Sequence, residues 1–171
     1  MSLRENFSEA GGIVKLAFVV VITSLCCSWL AFTTTSWLVV KQTHYGLWRV
    51  CAETVSGCSH IDGTANVEYG VTQAFAIIGF MCQNLAFFLI VRFIFKENCR
   101  GNTDIGMGSA ALLIVSAIGW LIAVAVFGDE FDATGAKLHY SYGLAVVASG
   151  LGLIGGVLMI IGGSNGSVGS K

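Results

Sequence analysis

The chain has 171 residues, of which 55% are hydrophobic and 11% charged, and its formal net charge at pH 7 is -1. This composition is too apolar and too poorly charged for a soluble domain, and it predicts an integral membrane protein. The near-neutral charge gives no electrostatic basis for binding nucleic acid.

Four apolar stretches are long enough to cross about 30 Å of hydrocarbon as helices, at about 1.5 Å per residue. They are predicted over residues 12–32, 71–95, 106–127 and 140–162. The first is too long for a signal-peptide core and no small-residue cleavage site follows it, so we expect it to remain. The sequence therefore predicts an all-α membrane protein, a single-domain bundle of four transmembrane helices.

The Lys and Arg residues predict the orientation of the bundle. The side of the termini carries Arg4, Lys15, Arg92, Lys96, Arg100 and Lys171, and the other side carries Lys41, Arg49 and Lys137. This bias favours cytoplasmic termini, so the loops 33–70 and 128–139 are expected to face the outside. The tail 163–171 is rich in Gly and Ser and is predicted to be disordered.

The first outside loop is predicted to form a small antiparallel sheet. Stretches such as SWLVVKQTHY, residues 36–45, alternate or are rich in β-branched residues, and turn formers bound the region. Cys51 and Cys58 are the two of the six cysteines that lie in outside loops. An exposed pair in an oxidising compartment rarely stays reduced, so we expect a Cys51–Cys58 disulfide, with two free thiols as the alternative.

The other cysteines lie in the spans or in the cytoplasmic turn. Cys26, Cys27 and Cys82 fall within predicted spans, whereas Cys99 falls in the turn before the third span. Cys99 is therefore the candidate for palmitoylation, the alternative being a plain loop thiol.

Polar residues are few in the predicted spans. None contains Asp or Glu, which weakens an interpretation as a pump or a proton-coupled transporter. Lys15 and Arg92 lie near the cytoplasmic ends, where long side chains can reach the interface. Gln83 and Asn84 are polar at depth, and we expect interhelical hydrogen bonds from them in preference to substrate binding.

Small residues recur at four-residue steps along two spans. The candidate packing residues are Gly119 and Ala123 in the third span and Ala148, Gly152 and Gly156 in the fourth; Gly106, Gly108 and Ala110 open the third span in the same manner. Such rows allow helices to approach closely, either inside one bundle or against another membrane protein. Glycine occurs 22 times and proline never, which also favours closely packed helices.

No pattern in the chain predicts chemistry. His44, His60 and His139 all lie in outside loops and no two of them have the spacing of metal ligands. A redox enzyme needs a reactive Cys-x-x-Cys pair, and Cys51 and Cys58 are too far apart in sequence for that motif. We therefore expect no metal, no cofactor and no catalytic residue.

The segment GLWRVCAETVSGC, residues 46–58, carries the most specific pattern in the chain. Trp37, the run Gly46-Leu47-Trp48, and then Cys51 and Cys58 stand in the first outside loop of a protein with four predicted spans. This arrangement resembles the signature of the claudin, peripheral myelin protein and epithelial membrane protein superfamily, and the order of spans and loop sizes is similar over nearly the whole chain. The short gap between the cysteines looks more like the epithelial and lens membrane protein branch than like typical claudins.

The resemblance implies a fold. It is a left-handed four-helix bundle whose outside loops together form one antiparallel sheet, with Trp48 where the sheet meets the bundle. Trp29 and Trp37 fit the general anchoring of indoles at a membrane surface. An Arg often found in the family where the second span begins is not evident at Gln73 or Phe75. The tail also lacks the terminal Tyr-Val that claudins offer to PDZ scaffolds, so no such ligand is expected.

The resemblance also implies two kinds of function. The first is a structural protein of the plasma membrane that binds itself or other claudin-like proteins through its outside sheet, in adhesion at cell–cell junctions such as tight junctions or in membrane organisation, and that seals or lines a path between cells. The candidate selectivity charges are then Glu53, Asp62 and Glu68, which would favour cations, with Lys41 and Arg49 opposing; the alternative is that they are solvated loop charges. The second function is an auxiliary subunit that binds an ion channel or receptor and changes its gating or trafficking.

Overall fold

The computed structural model describes residues 3–52, 57–61, 66–132 and 137–164. Five helices and five strands are found in these residues, together with a 3₁₀ turn at Glu97–Cys99. The helices are α1 (Leu3–Glu9), α2 (Gly12–Thr33), α3 (Val67–Phe95), α4 (Thr103–Asp132) and α5 (Tyr140–Ser164). The strands are β1 (Leu38–Val40), β2 (Thr43–Tyr45), β3 (Arg49–Ala52), β4 (Cys58–His60) and β5 (Lys137–Leu138). The end of the bundle that carries the strands is called the sheet side, and the opposite end the terminal side.

Four of the described helices, α2 to α5, are long and apolar enough to cross a membrane, which confirms the predicted membrane bundle. All four extend beyond their predicted bounds, and the extension is largest in α3, which has 29 residues, and in α4, which has 30. At about 1.5 Å per residue each exceeds the thickness of the hydrocarbon, so part of each helix lies outside it. On the sheet side α3 begins at Val67 because Asn66 caps it, its side-chain oxygen accepting from the N–H of Tyr69 at 2.9 Å.

The five described strands form one antiparallel sheet in the order β4-β3-β2-β1-β5. Both interhelical loops on the sheet side contribute, because β5 pairs with β1 through Leu38 and Leu138. This confirms the predicted sheet and its union across the two loops. One detail differs: residues 36–45 alternate like a single strand, but a turn divides them at Lys41, whose φ is 55°. Because Lys is not a usual residue for this backbone conformation, no local turn signal marks this position.

Helix α1 was not predicted, because the first residues are polar and seven residues are too few to show a helical pattern. It packs against the terminal side of the bundle. The ring of Phe7 stacks on Phe95 with centroids 6.4 Å apart, and the side chain of Arg100 forms an ion pair with Glu9. Asn6 is buried, and its amide donates to the carbonyl of Phe95 at 3.4 Å. The stability of α1 therefore comes from contacts with α3 and with the turn before α4.

Cys99 lies under this terminal assembly. Its residue is only 7% exposed, and Nη2 of Arg92 lies 3.5 Å from its sulfur. A palmitate acceptor must reach the membrane surface, and a buried thiol does not meet that requirement. The structure thus does not support the palmitoylation predicted at Cys99. The two basic residues of the predicted spans, Arg92 and Lys15, both contact protein at the terminal side. The guanidinium of Arg92 lies against the thiol of Cys99, and Nζ of Lys15 donates to the carbonyl of Ser8 at 2.8 Å.

Glycine allows backbone contact between helices at two crossings. Gly79 of α3 and Gly119 of α4 face each other, and a Cβ at Gly119 would lie 3.1 Å from the Cα of Gly79. Gly106 of α4 meets Gly163 of α5 in the same way, with a Cβ at Gly106 only 3.0 Å from the Cα of Gly163. Close approach of this kind maximises dispersion contacts where lipid provides no hydrophobic driving force.

The other predicted packing residues also face neighbouring helices, with one exception. Ala110, Ala123 and Ala148 are buried, and a Cβ on Gly156 would lie 3.4 Å from the carbonyl oxygen of Ala110. Gly152 faces α4 with room for a Cβ, whose nearest neighbours are 3.7 Å away. The exception is Gly108, where a Cβ would meet only a methyl of Leu89 at 3.9 Å. Apart from Gly108, these residues pack against neighbouring helices of the same bundle.

The two polar residues of the second span behave differently. Nε2 of Gln83 donates to Oγ of Ser24 at 2.7 Å, and Oγ of Ser24 donates to the carbonyl of Ala148 at 2.8 Å. This chain joins α3, α2 and α5, as expected for a polar residue at depth. The expectation is wrong for Asn84, whose amide donates to the carbonyl of Phe80 in its own helix at 2.7 Å.

Gly119→Ala is expected to destabilise the bundle. The added methyl would press on backbone atoms of Gly79 and Phe75, which cannot rotate away, and overpacking of this kind costs about 1–3 kcal/mol. The matched control is Gly150→Ala, because Gly150 has no atom within 4 Å of a built Cβ. Thermal unfolding of both purified variants in the same detergent compares them. Equal unfolding temperatures would show that the crossing of α3 and α4 is not close-packed at this position.

Candidate functional site

The run Gly46-Leu47-Trp48, called the junction, lies between β2 and β3 and against the bundle. Its first residue must be glycine, because a Cβ at Gly46 would lie 2.6 Å from the Cα of Thr35 and 2.8 Å from the carbonyl oxygen of Thr34. The N–H of Gly46 donates to the carbonyl of Arg49 at 2.8 Å, which closes the turn into β3. The loop backbone therefore lies directly on the segment that follows α2.

Helix α3 holds the junction from the other side. The hydroxyl of Tyr69 donates to the carbonyl of Gly46, and Nε2 of Gln73 donates to the carbonyl of Leu47 at 2.8 Å. Leu47 itself is fully buried. Buried carbonyls need hydrogen-bond donors. The first turns of α3 carry the two side chains that donate to the carbonyls of the junction. The sequence analysis did not predict Tyr69 as a site residue. It named Gln73 only as a position where an Arg often found in the family is not evident.

The end of α2 is capped by the loop that follows it. The indole N–H of Trp37 donates to the carbonyl of Ala31 at 2.7 Å, and that of Trp48 donates to the carbonyl of Phe32 at 2.9 Å. The N–H of Thr34 donates to the carbonyl of Leu30 at 3.1 Å. These donors satisfy carbonyls of the last turn that have no partner within the helix. Trp48 thus lies where the sheet meets the bundle.

Trp37 is a core residue, and the general surface anchoring expected of it does not describe it. Its side chain is fully buried, and its ring packs edge-on against Phe127 with centroids 5.0 Å apart. Trp29 does fit the expectation, since it is 48% exposed near the sheet-side end of α2. The two indoles differ because the loop folds back over Trp37 and leaves Trp29 facing outward.

A disulfide joins Cys51 and Cys58, as predicted, which excludes the alternative of two free thiols. The two residues are direct partners across β3 and β4, with Cα atoms 4.3 Å apart. Strand β4 is an exposed edge strand of three residues, too short to be stable by pairing alone. The covalent bond therefore fixes the outer edge of the sheet.

The sheet has a covered face and an open face. Successive residues of a strand point to opposite faces. Leu38 and Tyr45, which are cross-strand partners, belong to or pack against the core and so lie on the covered face. The open face carries the disulfide together with His44, Arg49, His60 and Lys137, as their cross-strand pairing shows. Among the described strands this face has basic and imidazole side chains and no carboxylate.

Of the three candidate selectivity carboxylates, Glu68 lies in the described part of the chain. Glu53 and Asp62 lie outside the described residues. Glu68 is exposed in the first turn of α3, where a carboxylate also stabilises the helix N-terminus. Of the two opposing cations, Lys41 occupies the turn between β1 and β2, and Arg49 begins β3 on the open face.

The histidines do not form a metal site within the described residues. The rings of His44 and His139 lie edge to face, with centroids 6.2 Å apart. No group of three or more potential metal-binding side chains occurs in the residues described.

Comparison with known protein families gives a match. The model of the PMP-22/EMP/MP20/Claudin family matches residues 12–163, which cover all four membrane helices, the sheet and the junction. A search of the curated proteins finds no match.

Gly46→Ala is expected to detach the sheet from the bundle. The methyl would overlap backbone atoms of Thr34 and Thr35, so the cost should reach or exceed about 3 kcal/mol, the upper end for overpacking. The matched control is Gly57→Ala in the same loop, where a Cβ meets nothing within 4 Å. Limited trypsin digestion in detergent, followed at Arg49, reports whether the sheet has opened. Equal protection of the two variants would contradict the role assigned to the junction.

Proposed function

Because the chain belongs to the PMP-22/EMP/MP20/Claudin family, we propose that it is a structural protein of cell–cell junctions in the plasma membrane, acting through the open face and edge of its sheet. Family membership supports a claudin-like role in junctions or membrane organisation. The observation that best supports a role for the sheet at cell–cell junctions is its fixed attachment to the bundle. The loop donates hydrogen bonds to α2 and accepts them from α3, and these bonds hold the sheet at one end of the bundle, which supports a role in contacts with another protein.

The orientation we propose has both termini in the cytoplasm and the sheet outside the cell. Two independent features support it. The Lys and Arg bias favours cytoplasmic termini, and the Cys51–Cys58 disulfide requires an oxidising compartment on the sheet side.

The partner we propose is a second copy of this chain or another claudin-like protein. Strand β4 is an edge strand, and all three of its residues are exposed, so its backbone is available for contacts between neighbours. The open face supplies side chains to the same contacts. Arg49 and Lys137 give its described strands a positive charge, which would favour anions along a narrow aqueous path. The cation preference suggested by Glu53, Asp62 and Glu68 requires those carboxylates to outweigh these two cations.

Cysteine labelling tests the orientation. Lys41→Cys on the sheet side and Lys96→Cys on the terminal side form a matched pair, because both lysines are exposed. In intact cells a membrane-impermeant maleimide is expected to label the first variant, and to label the second only after permeabilisation. The wild-type chain measures background labelling of native thiols. The reverse pattern would overturn the proposed orientation.

Expression in epithelial cells that lack claudin-like proteins tests the function. Wild-type protein is expected to form strands visible by freeze-fracture and to change the transepithelial resistance. Cys58→Ala should lose surface delivery and both effects, because loss of a native disulfide costs about 2–5 kcal/mol in a small domain. Cys82→Ala, which removes a free thiol of α3, serves as the control. Absence of strands from wild-type protein at the cell surface, together with stoichiometric co-purification of a channel, would replace this proposal with the auxiliary-subunit function.

A further inference from the structure

A cavity of about 410 Å³ lies beside the junction, and its lining combines charge with aromatic surface. It is bounded by residues 32–35 at the end of α2, by Trp48, and by Arg49 and His60 of the open face. We propose that this cavity binds the phosphate group of a membrane phospholipid in the leaflet on the sheet side. The inference goes beyond the proposed junction function and does not require the chain to polymerise.

The cavity lies at the depth of phospholipid headgroups. Thr33 is both the last residue of the membrane helix α2 and part of the cavity wall. Trp29, one turn deeper, faces outward as indoles do at the boundary between hydrocarbon and water. A molecule in the cavity would therefore have its polar part at the membrane surface and its apolar part near hydrocarbon.

The cavity offers positive charge that the described residues do not neutralise. Arg49 and His60 are direct partners across β3 and β4, so both side chains reach the same rim. The ion pair between Arg100 and Glu9 lies at the opposite end of the bundle. The planar guanidinium of Arg can donate two parallel hydrogen bonds to a phosphate, which makes it the side chain best suited to this group.

The end of α2 would repel an anion if its carbonyls were bare, because a helix C-terminus carries partial negative charge. Three carbonyls of its last turn accept hydrogen bonds from the segment that follows. Those of Ala31 and Phe32 accept from the indoles of Trp37 and Trp48, and that of Leu30 accepts from the N–H of Thr34. The donors offset the partial negative charge at these three carbonyls, which reduces the repulsion of an anion beside this helix end.

The threonines and aromatic rings shape the rest of the cavity. The hydroxyls of Thr33 and Thr34 donate to carbonyls of α2, so their protons are already used. Phe32 and Trp48 lie with ring centroids 5.0 Å apart and give one wall an apolar surface. Free phosphate would leave that wall in water, whereas the glycerol and first methylene groups of a phospholipid would cover it. The combination favours a lipid over a soluble anion.

Lipid retention tests the proposal. The full-length protein is purified in detergent with added dioleoylphosphatidylglycerol, and the lipid retained is counted by native mass spectrometry over a titration. Arg49→Gln is expected to weaken retention about tenfold, the effect of removing a charge-assisted hydrogen bond. Arg49→Lys should retain part of the affinity, because Lys keeps the positive charge but cannot donate two parallel hydrogen bonds to the phosphate. The control is Lys41→Gln, which removes an exposed cation of the same sheet outside the cavity, and it should change retention less than twofold.

Three results would overturn the proposal. The first is equal loss of lipid from Arg49→Gln and Lys41→Gln, which would show that general surface charge holds the lipid. The second is unchanged retention in Arg49→Gln when its unfolding temperature and disulfide match the wild type. The third is displacement of the lipid by excess inorganic phosphate, with phosphate binding in its place, which would assign the cavity to a soluble anion.

Discussion

Backbone carbonyls that leave the hydrocarbon at the end of α2 need hydrogen-bond donors, and the loop that follows the helix supplies them. The indoles of Trp37 and Trp48 donate to the last turn of α2, while Tyr69 and Gln73 of α3 donate to the carbonyls of Gly46 and Leu47. The loop therefore supplies donors to the carbonyls of α2, and α3 supplies donors to the carbonyls of the loop. The sheet consequently has one orientation on the bundle.

This attachment compensates for the small size of the sheet. Its described strands have two to four residues, which is too short for an isolated sheet to be stable in water. Each edge has its own restraint. The disulfide fixes β4 to β3, and the short connection into α5 fixes β5, where the N–H of His139 donates to the carbonyl of Trp37 at 2.9 Å. An exposed edge held in this way can contact a neighbouring protein without first paying the entropy of ordering itself.

The sequence predicts the features that depend on composition or on local pattern. Four apolar stretches predict the membrane helices, and the position of Cys51 and Cys58 predicts their disulfide. Features that depend on distant contacts were missed. Nothing in the local sequence distinguishes Tyr69 from other aromatic residues. Its role depends on the hydrogen bond from its hydroxyl to the carbonyl of Gly46, 23 positions away. Helix α1 was missed for the same reason, because contacts with α3 and with Arg100 stabilise it. The turn at Lys41 was missed because Lys rarely adopts a positive φ.

The sheet and the membrane bundle share one hydrophobic core, so neither is an independent unit. A single buried cluster contains Trp37, Leu38 and Leu47 of the loop together with Trp120 and Phe127 of α4. The same cluster reaches the helix crossing, since a Cβ on Gly79 would lie 3.0 Å from the ring of Trp120. Side chains in such a close-packed interior shift together, because there are few voids to absorb a change. A substitution at the crossing of α3 and α4 therefore alters the support beneath the open face, although it touches no residue of the sheet.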